Sequence, residues 1–121
     1  MSSLPLRADS GTGASDACLK WSTAERAVAR RAFDLALRRE LEAVVKETKD
    51  RAAKIEESTD LWELERFLTH RREEIDHKYD YRYCVLPLVF ATLLREARLS
   101  EDDLRGLGQD KLDVIRLIAS L

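Results

Sequence analysis

Three side chains near the middle of the sequence have the types and the spacing that carboxylate-bridged metal sites use. His70, Glu74 and His77 lie near one face of a predicted helix, and Glu74-x-x-His77 is the spacing found in di-iron bundles. Such a site needs two copies of this motif and two further glutamates, whereas the chain contains one copy. A metal-binding enzyme or store therefore requires a dimer to supply the second copy, and a solvated helix face explains the same residues.

Other catalytic arrangements are not indicated. Serine, histidine and aspartate occur, but no spacing suggests a nucleophile, and no glycine-rich loop could cradle phosphate. Cys18 and Cys84 lie far apart and match no metal or redox motif. Because two cysteines in an intracellular chain are more often free than bridged, we expect free thiols. The sequence predicts a protein that is not an enzyme and uses no cofactor.

The charge balance argues against two classes of binding protein. The 121 residues include 21 Lys and Arg against 23 Asp and Glu, which gives a net charge of -2. Nucleic-acid-binding domains usually show a basic excess or stripe, and electrostatic membrane anchors need a polybasic cluster. The longest nearly apolar run, residues 83–94, is too short to span a bilayer and contains Pro87. With no signal-peptide pattern at the start, we expect a cytoplasmic protein with no nucleic-acid or membrane partner.

The residues that must position these side chains are predicted to form one helical domain over 22–121. Residues 1–21 contain several Ser and Gly and few large apolar side chains, which predicts a disordered tail. Trp21, at the end of that tail, could dock just before the first helix. Ser22 and Glu25 form a capping box, so the first helix is predicted to start at Ser22. With no Gly or Pro before Glu57, the helix is predicted to extend to about that residue.

An apolar stripe on this first helix predicts self-association. It runs from Phe33 to Ile55 with a period near 3.67 residues, as in a nearly straight helix. A helix of this length spans about 50 Å, whereas a compact chain of this size is about 35 Å across. The helix would overhang such a globule and leave its stripe exposed. We therefore expect a second copy to cover the stripe in a homodimer.

The remainder of the chain is predicted to form shorter helices. Asp60 with Glu63 is a plausible cap for a second helix. The predicted features that follow are a bend at Tyr79, Tyr81 and Tyr83, a helix from about Cys84 or Pro87 to Ala97, a segment capped by Ser100, a break at Gly106 and Gly108, and a last helix from about Asp110. No repeat and no strand is predicted.

A dense pattern of aromatic and charged residues spans the second and third helices. It is Leu61-Trp62-x-Leu64-x-x-Phe67-Leu68, then Arg72-x-Glu74-Ile75-Asp76-x-Lys78-Tyr79-Asp80-x-Arg82, then Val89-Phe90-Ala91-x-Leu93-Leu94-x-Glu96, with Asp110-Lys111, Ile115 and Leu121 further on. This combined spacing resembles the core signature of the fluorescence recovery protein family. The resemblance is close over about 60 residues, and the first helix is similar in length and pattern.

The resemblance implies a fold and a function. The fold would be all-α, with a long N-terminal helix, shorter helices and a C-terminal helical head, assembled as a helical homodimer. Members of the family bind the photoactivated red form of the orange carotenoid protein, chiefly at its C-terminal domain, and speed its return to the dark orange form. Quenching of the light-harvesting antenna then ends. Binding lowers a conformational barrier in the partner, and no bond is made or broken.

The resemblance also assigns residues to the dimer and partner surfaces. The family's interface tryptophan falls on Trp62 and its functional arginine falls on Arg72. The residues alone are equally consistent with simpler roles, because Trp62 could be ordinary core packing and Arg72 could pair with Asp76 one turn later.

Four functional positions of the family carry different residues here. A histidine and an aspartate fall on Glu65 and Arg66, a phenylalanine of the head falls on Leu88, and a lysine near the C-terminus falls on Val114. An adaptor of the same fold with an unrelated client is therefore the alternative function. The full predicted interface comprises Leu61, Trp62, Glu65, Arg66, Arg72, Lys78, Tyr79, Leu88, Phe90 and Val114.

Overall fold

The computed structural model describes residues 18–121, and four α-helices account for most of them. The helices are α1 (Thr23–Ala53), α2 (Ser58–Lys78), α3 (Leu86–Arg95) and α4 (Gln109–Ala119), with a 3-10 turn at Glu101–Leu104 between α3 and α4. No strand occurs within this range, and none of its helices is long and apolar enough to cross a membrane. The predicted all-α fold with a long first helix is confirmed. Residues 1–17 of the predicted tail lie outside the described residues.

Reciprocal capping fixes the start of α1 where the sequence places it. The Glu25 N–H donates to the Ser22 hydroxyl over 3.0 Å, and the Ser22 N–H donates to the Glu25 carboxylate over 2.9 Å. The boundary predicted at Ser58, Thr59 and Asp60 is confirmed, because α2 begins at Ser58, but the prediction of Asp60 as its cap was wrong. Asp60 instead occupies the third helical position, where its carboxylate accepts the N–H groups of Glu56 and Glu57. The first helix ends at Ala53, earlier than predicted, with Lys54 as its C-cap.

The core lies between the first half of α1 and the elements that follow α2. Small side chains at Ala29, Ala32 and Ala36 are almost completely buried, so neighbouring elements approach α1 closely. The Phe33 ring makes T-shaped contacts with the rings of Tyr79 and Tyr81 at centroid distances of 5.4 and 4.9 Å. The tyrosines of the predicted bend therefore pack against α1. The other large buried side chains include Leu86, Phe90, Leu93, Leu104 and Ile115.

The second half of α1 and most of α2 form a hairpin that has no core of its own. No side chain between residues 41 and 74 is buried, although this segment carries many apolar residues. Its exposed large apolar side chains are Leu41, Val45, Leu61, Trp62 and Leu68. We call residues 41–74 the hairpin. Its packing within one chain is therefore incomplete.

The turns of the C-terminal head follow the predicted breakers. Ser100 caps the 3-10 turn by accepting the Asp103 N–H at 3.3 Å, and α4 begins after Gly108. Gly106 has a positive φ of 111°, and a Cβ there would lie 2.7 Å from a methyl group of Val28. Both the backbone conformation and the close approach of α1 require glycine at this turn. The third helix ends at Arg95, two residues before the predicted end.

The expectation of free thiols is wrong for this structure. Cys18 and Cys84 form a disulfide with their Cα atoms 5.0 Å apart. Trp21 packs on Tyr83 at a centroid distance of 5.5 Å, which brings the segment before α1 beside the turn that precedes α3. Because 66 residues separate the two cysteines, their spacing gave no sign of this contact. The last four residues of the predicted tail, 18–21, thus belong to the packed structure.

Candidate partner-binding surfaces

A buried carboxylate fixes the base of the hairpin. Glu40, on α1, is 2% exposed and accepts hydrogen bonds from three side chains that follow it by more than thirty residues. Arg71 and Lys78 each donate over 2.9 Å, and the Tyr79 hydroxyl donates over 2.8 Å. Lys78 also reaches Glu96, at 2.6 Å. This Glu40 cluster joins α1, α2 and the end of α3, so it sets the angle at which α2 leaves the core.

The charges of the Glu40 cluster stabilise one another. Burial alone would raise the pKa of the Glu40 carboxyl, but hydrogen bonds from Lys78, Arg71 and Tyr79 outweigh burial and hold this pKa below its ordinary value. Burial and the Glu40 carboxylate together raise the pKa of Tyr79, so its hydroxyl stays protonated and donates. The Glu40 cluster was not predicted from the sequence. The only signal in the sequence was an acidic residue on the α1 face that also presents Phe33 and Ala36 to the core.

The hairpin presents an apolar groove with a charged rim. The groove has a volume of about 650 Å³, and its apolar lining consists of Leu37, Leu41, Val44, Leu68 and Ile75. Two residues of the predicted interface, Glu65 and Arg72, contribute to its lining, and both are exposed. The arrangement offers apolar area at the centre and opposite charges at the edge, as protein interfaces do.

The rest of the predicted interface on α2 divides into exposed and internal residues. Leu61, Trp62 and Arg66 are exposed, and Trp62 presents 58% of its surface. Simple core packing therefore does not account for Trp62 within one chain. Lys78 and Tyr79, by contrast, belong to the Glu40 cluster, where Tyr79 is completely buried. Within one chain, these two residues hold the end of α2 against α1 through Glu40.

The helical head places its predicted residues at three different depths. Leu88 on α3 is 51% exposed and Val114 on α4 is half-buried, whereas Phe90 is completely buried. Phe90 therefore serves the core of the head, and Leu88 is its most accessible predicted contact. The predicted residues of the head do not line the hairpin groove, because all the residues that line it belong to α1 and α2.

A second buried ion pair attaches the head to α1. Lys111 of α4 is 3% exposed and donates to the Glu25 carboxylate over 3.0 Å, while the Gly108 N–H donates to the other carboxylate oxygen over 2.6 Å. The Ser22 N–H bond is the main reason that the pKa of Glu25 is lowered to about 2, with Lys111 and Gly108 adding to it. A Cβ at position 108 would lie 2.7 Å from the same carboxylate, so this approach depends on glycine.

Two of the three candidate metal ligands, His70 and Glu74, contact each other on the surface of α2. The His70 Nε2 lies 3.1 Å from one carboxylate oxygen of Glu74, and the Arg71 guanidinium donates to the other over 2.7 Å. Within residues 18–121, no three or more His, Cys, Asp or Glu side chains are placed to hold a metal ion.

Taken together, the fold and these surfaces define a helical protein suited to binding other protein surfaces. Residues 21–119 match the family model described as "photoprotection regulator fluorescence recovery protein". The chain belongs to this family. It is thus a member of a family of photoprotection regulators, as the signature between Leu61 and Glu96 predicted.

Individual relatives agree in sequence and in structure. The chain is 40% identical over 101 residues to the fluorescence recovery protein of Synechocystis, covering 84% of this chain and 93% of that protein. The solved structure of the Fremyella diplosiphon fluorescence recovery protein matches with a TM-score of 0.80 at 45% identity, covering 84% of this chain and 100% of that one. The solved Synechocystis structure matches with a TM-score of 0.80 at 39% identity and the same coverage. The family is regulatory, and the likeness extends over the whole helical fold.

Proposed function

We propose that this protein works as a homodimer that binds a photoactivated orange carotenoid protein and accelerates its return to the dark orange form. Membership of a family of photoprotection regulators supports the photoprotective role. The observation that carries the proposal is the hairpin, in which residues 41–74 include no buried side chain. Such a segment is suited to association with another protein surface.

The hairpin needs a second surface for its stability. The 31 residues of α1 span about 46 Å, and its buried positions all lie at or before Glu40. A helix pair without a core is marginal in water, because most helical stability in proteins comes from tertiary packing. Fully burying one large apolar side chain contributes about 1.5–3 kcal/mol. Partial burial of Leu41, Val45, Trp62 and Leu68 across a two-fold axis would supply the missing stabilisation.

The head offers a separate surface for the client. Leu88 is accessible on α3, and the buried residues of this helix share one core with the first half of α1 and not with the hairpin. A dimer formed through the hairpins would leave Leu88 of each protomer accessible. Acceleration then requires that the bound client be stabilised most in an arrangement between its red and orange forms, since only such preferential binding lowers a barrier.

A second candidate function is an adaptor of the same fold with a different protein client. The observation that favours it is the charge on α2, where Glu65 and Arg66 are exposed. By the resemblance, the family carries a histidine and an aspartate at these two positions. Replacing an acid by Arg at a close interfacial pair turns attraction into repulsion, which commonly costs several kcal/mol. The two functions share the dimer and differ only in the client.

Two measurements test the proposal. Light scattering at micromolar concentration is expected to give about twice the chain mass of 13.9 kDa. Leu68→Glu, in the groove, should give the monomer mass. Leu117→Glu is the matched control, because Leu117 is exposed on α4 and outside the groove. A monomeric wild type would contradict the dimer.

The second measurement is the red-to-orange reversion rate of a photoactivated orange carotenoid protein, with and without the dimer. Faster reversion supports the leading function. An intact dimer that leaves the rate unchanged would favour the adaptor with another client.

A further inference from the structure

The segment before α1 is covalently attached to the head. The disulfide joins Cys18 to Cys84, whose Cα separation of 5.0 Å lies within the ordinary range for bonded cysteines. Cys84 precedes α3 by two residues. Cys18 lies outside residues 21–119, which match the family model. The bond therefore ties a part of this chain that lies beyond the family match to the structural unit that carries Leu88.

The bond is open to chemical attack. As residues, Cys84 is exposed and Cys18 is half-buried, so we expect a small thiol or a dithiol protein to reach the bond from solvent. Accessible disulfides exchange readily, whereas buried ones resist reduction. In a reducing compartment, protein disulfides are usually transient, and many of them act as redox sensors.

Other contacts keep the segment near the head when the bond is broken. Trp21 is 7% exposed and packs on Tyr83, and the Lys111 ammonium group donates to the carbonyl oxygen of Lys20. These contacts do not involve either cysteine. Reduction should therefore leave the fold intact and weaken only the attachment of residues 18–21.

The noncovalent attachment has a weak point. The indole Nε1 of Trp21 is buried and has no hydrogen-bond partner among the described residues. A buried donor without an acceptor opposes burial, because the group had water as a partner when it was exposed. Opening of residues 18–21 would return this donor to water. The disulfide prevents that opening as long as it is intact.

We propose that Cys18 and Cys84 form a thiol–disulfide switch that sets how firmly residues 18–21 are held against the head. A thiolate of a dithiol reductant attacks the Cys84 sulfur, and Cys18 leaves as a thiolate that takes up a proton. The second thiol of the reductant then resolves the mixed disulfide and releases Cys84. The reductant loses two electrons and two protons, which convert the disulfide to two thiols. A disulfide oxidant such as oxidised glutathione reverses the reaction.

Limited trypsin digestion of the full chain tests the switch. The protein is equilibrated with oxidised glutathione or with dithiothreitol, its free thiols are counted with a maleimide reagent, and cleavage after Lys20 is followed by mass spectrometry. We expect no free thiols in the first state and two in the second, with cleavage after Lys20 faster by about fivefold or more in the reduced state. Cleavage after the exposed Lys54, in the connection between α1 and α2, is the internal control and should not change.

A double variant separates redox chemistry from other effects of the reagents. Cys18→Ser combined with Cys84→Ser should show the fast rate after Lys20 in both buffers. Two reactive thiols in the wild type under oxidised glutathione would overturn the proposal, because the bond would not form. Equal cleavage rates after Lys20 in the two wild-type states would also overturn it, as would a parallel increase after Lys54, which would indicate global unfolding.

Discussion

Removing the buried carboxylate of the Glu40 cluster should destabilise the protein strongly. In Glu40→Ala, the Arg71 and Lys78 side chains lose their shared acceptor, and the Tyr79 hydroxyl loses its partner. The two cations are only 19% and 15% exposed, so water replaces the lost interaction incompletely. The substitution therefore leaves two largely buried cations with only part of their compensation, from Glu74 beside Arg71 and from Glu96 beside Lys78.

The size of the effect follows from that burial. Removing one partner of a buried ion pair costs about 3–5 kcal/mol. Because both cations retain some contact with water and other acidic neighbours, we expect the lower half of this range, about 3–4 kcal/mol. Glu47→Ala is the matched control. Glu47 is on the same helix and pairs with Arg51 at 2.9 Å, but its side chain is 50% exposed. Exposed pairs of this spacing contribute about 0.3–0.5 kcal/mol.

Urea unfolding gives the free energy of unfolding of both variants, and thermal unfolding gives their melting temperatures, each followed by circular dichroism. The chain concentration must be equal throughout, since the stability of an associating protein depends on it. For about 100 ordered residues, a change of 1 kcal/mol shifts the melting temperature by roughly 4 °C, so Glu40→Ala should melt more than 10 °C below the control. If the two variants lie within about 1 kcal/mol of each other, the Glu40 cluster does not hold the hairpin as described.

Three further predictions concern the interface, the client and acid stability. Trp62→Ala should weaken the free energy of dimer association by about 1–3 kcal/mol, obtained from the dimer dissociation constant measured by sedimentation. An unchanged dissociation constant would show that Trp62 is an ordinary surface residue. Arg66→Asp should increase the acceleration of red-to-orange reversion at equal dimer concentration. Strong acceleration by the wild type would show that an aspartate at position 66 is dispensable. The pKa of Glu25 is lowered to about 2, chiefly by the Ser22 N–H. The ionised Glu25 carboxylate therefore stabilises the fold fully above pH 4.5, and this stabilisation is lost progressively as the pH falls towards 2. Melting temperatures of Glu25→Gln should therefore fall less than those of the wild type between pH 5 and pH 2, and equal slopes would contradict this assignment.

Local features of the sequence were sufficient for the outline of the fold. Ser22 and Glu25 are three residues apart, so the cap of α1 depends on neighbours that the sequence displays directly. Gly106 and Gly108 likewise separate the 3-10 turn from α4, as predicted, because the effect of a glycine on the backbone is local. The family signature rested on the same kind of short-range spacing, from Leu61 onwards. Asp60 was misassigned as the cap of α2, because Asp is favoured both at a helix cap and within the first helical turn.

Residues that meet across long separations were decided by the tertiary structure alone. No motif in the sequence distinguishes Glu40 from the other residues among the 23 Asp and Glu. Its role depends on Arg71 and Lys78, which lie 31 and 38 residues further along the chain. Cys18 and Cys84 matched no motif, yet packing of the segment before α1 brings their Cα atoms within 5.0 Å. Helix periodicity specifies which face of a helix is apolar, but it does not specify which distant element covers that face. Burial and pairing depend on that covering element, so these contacts could be read only from the folded chain.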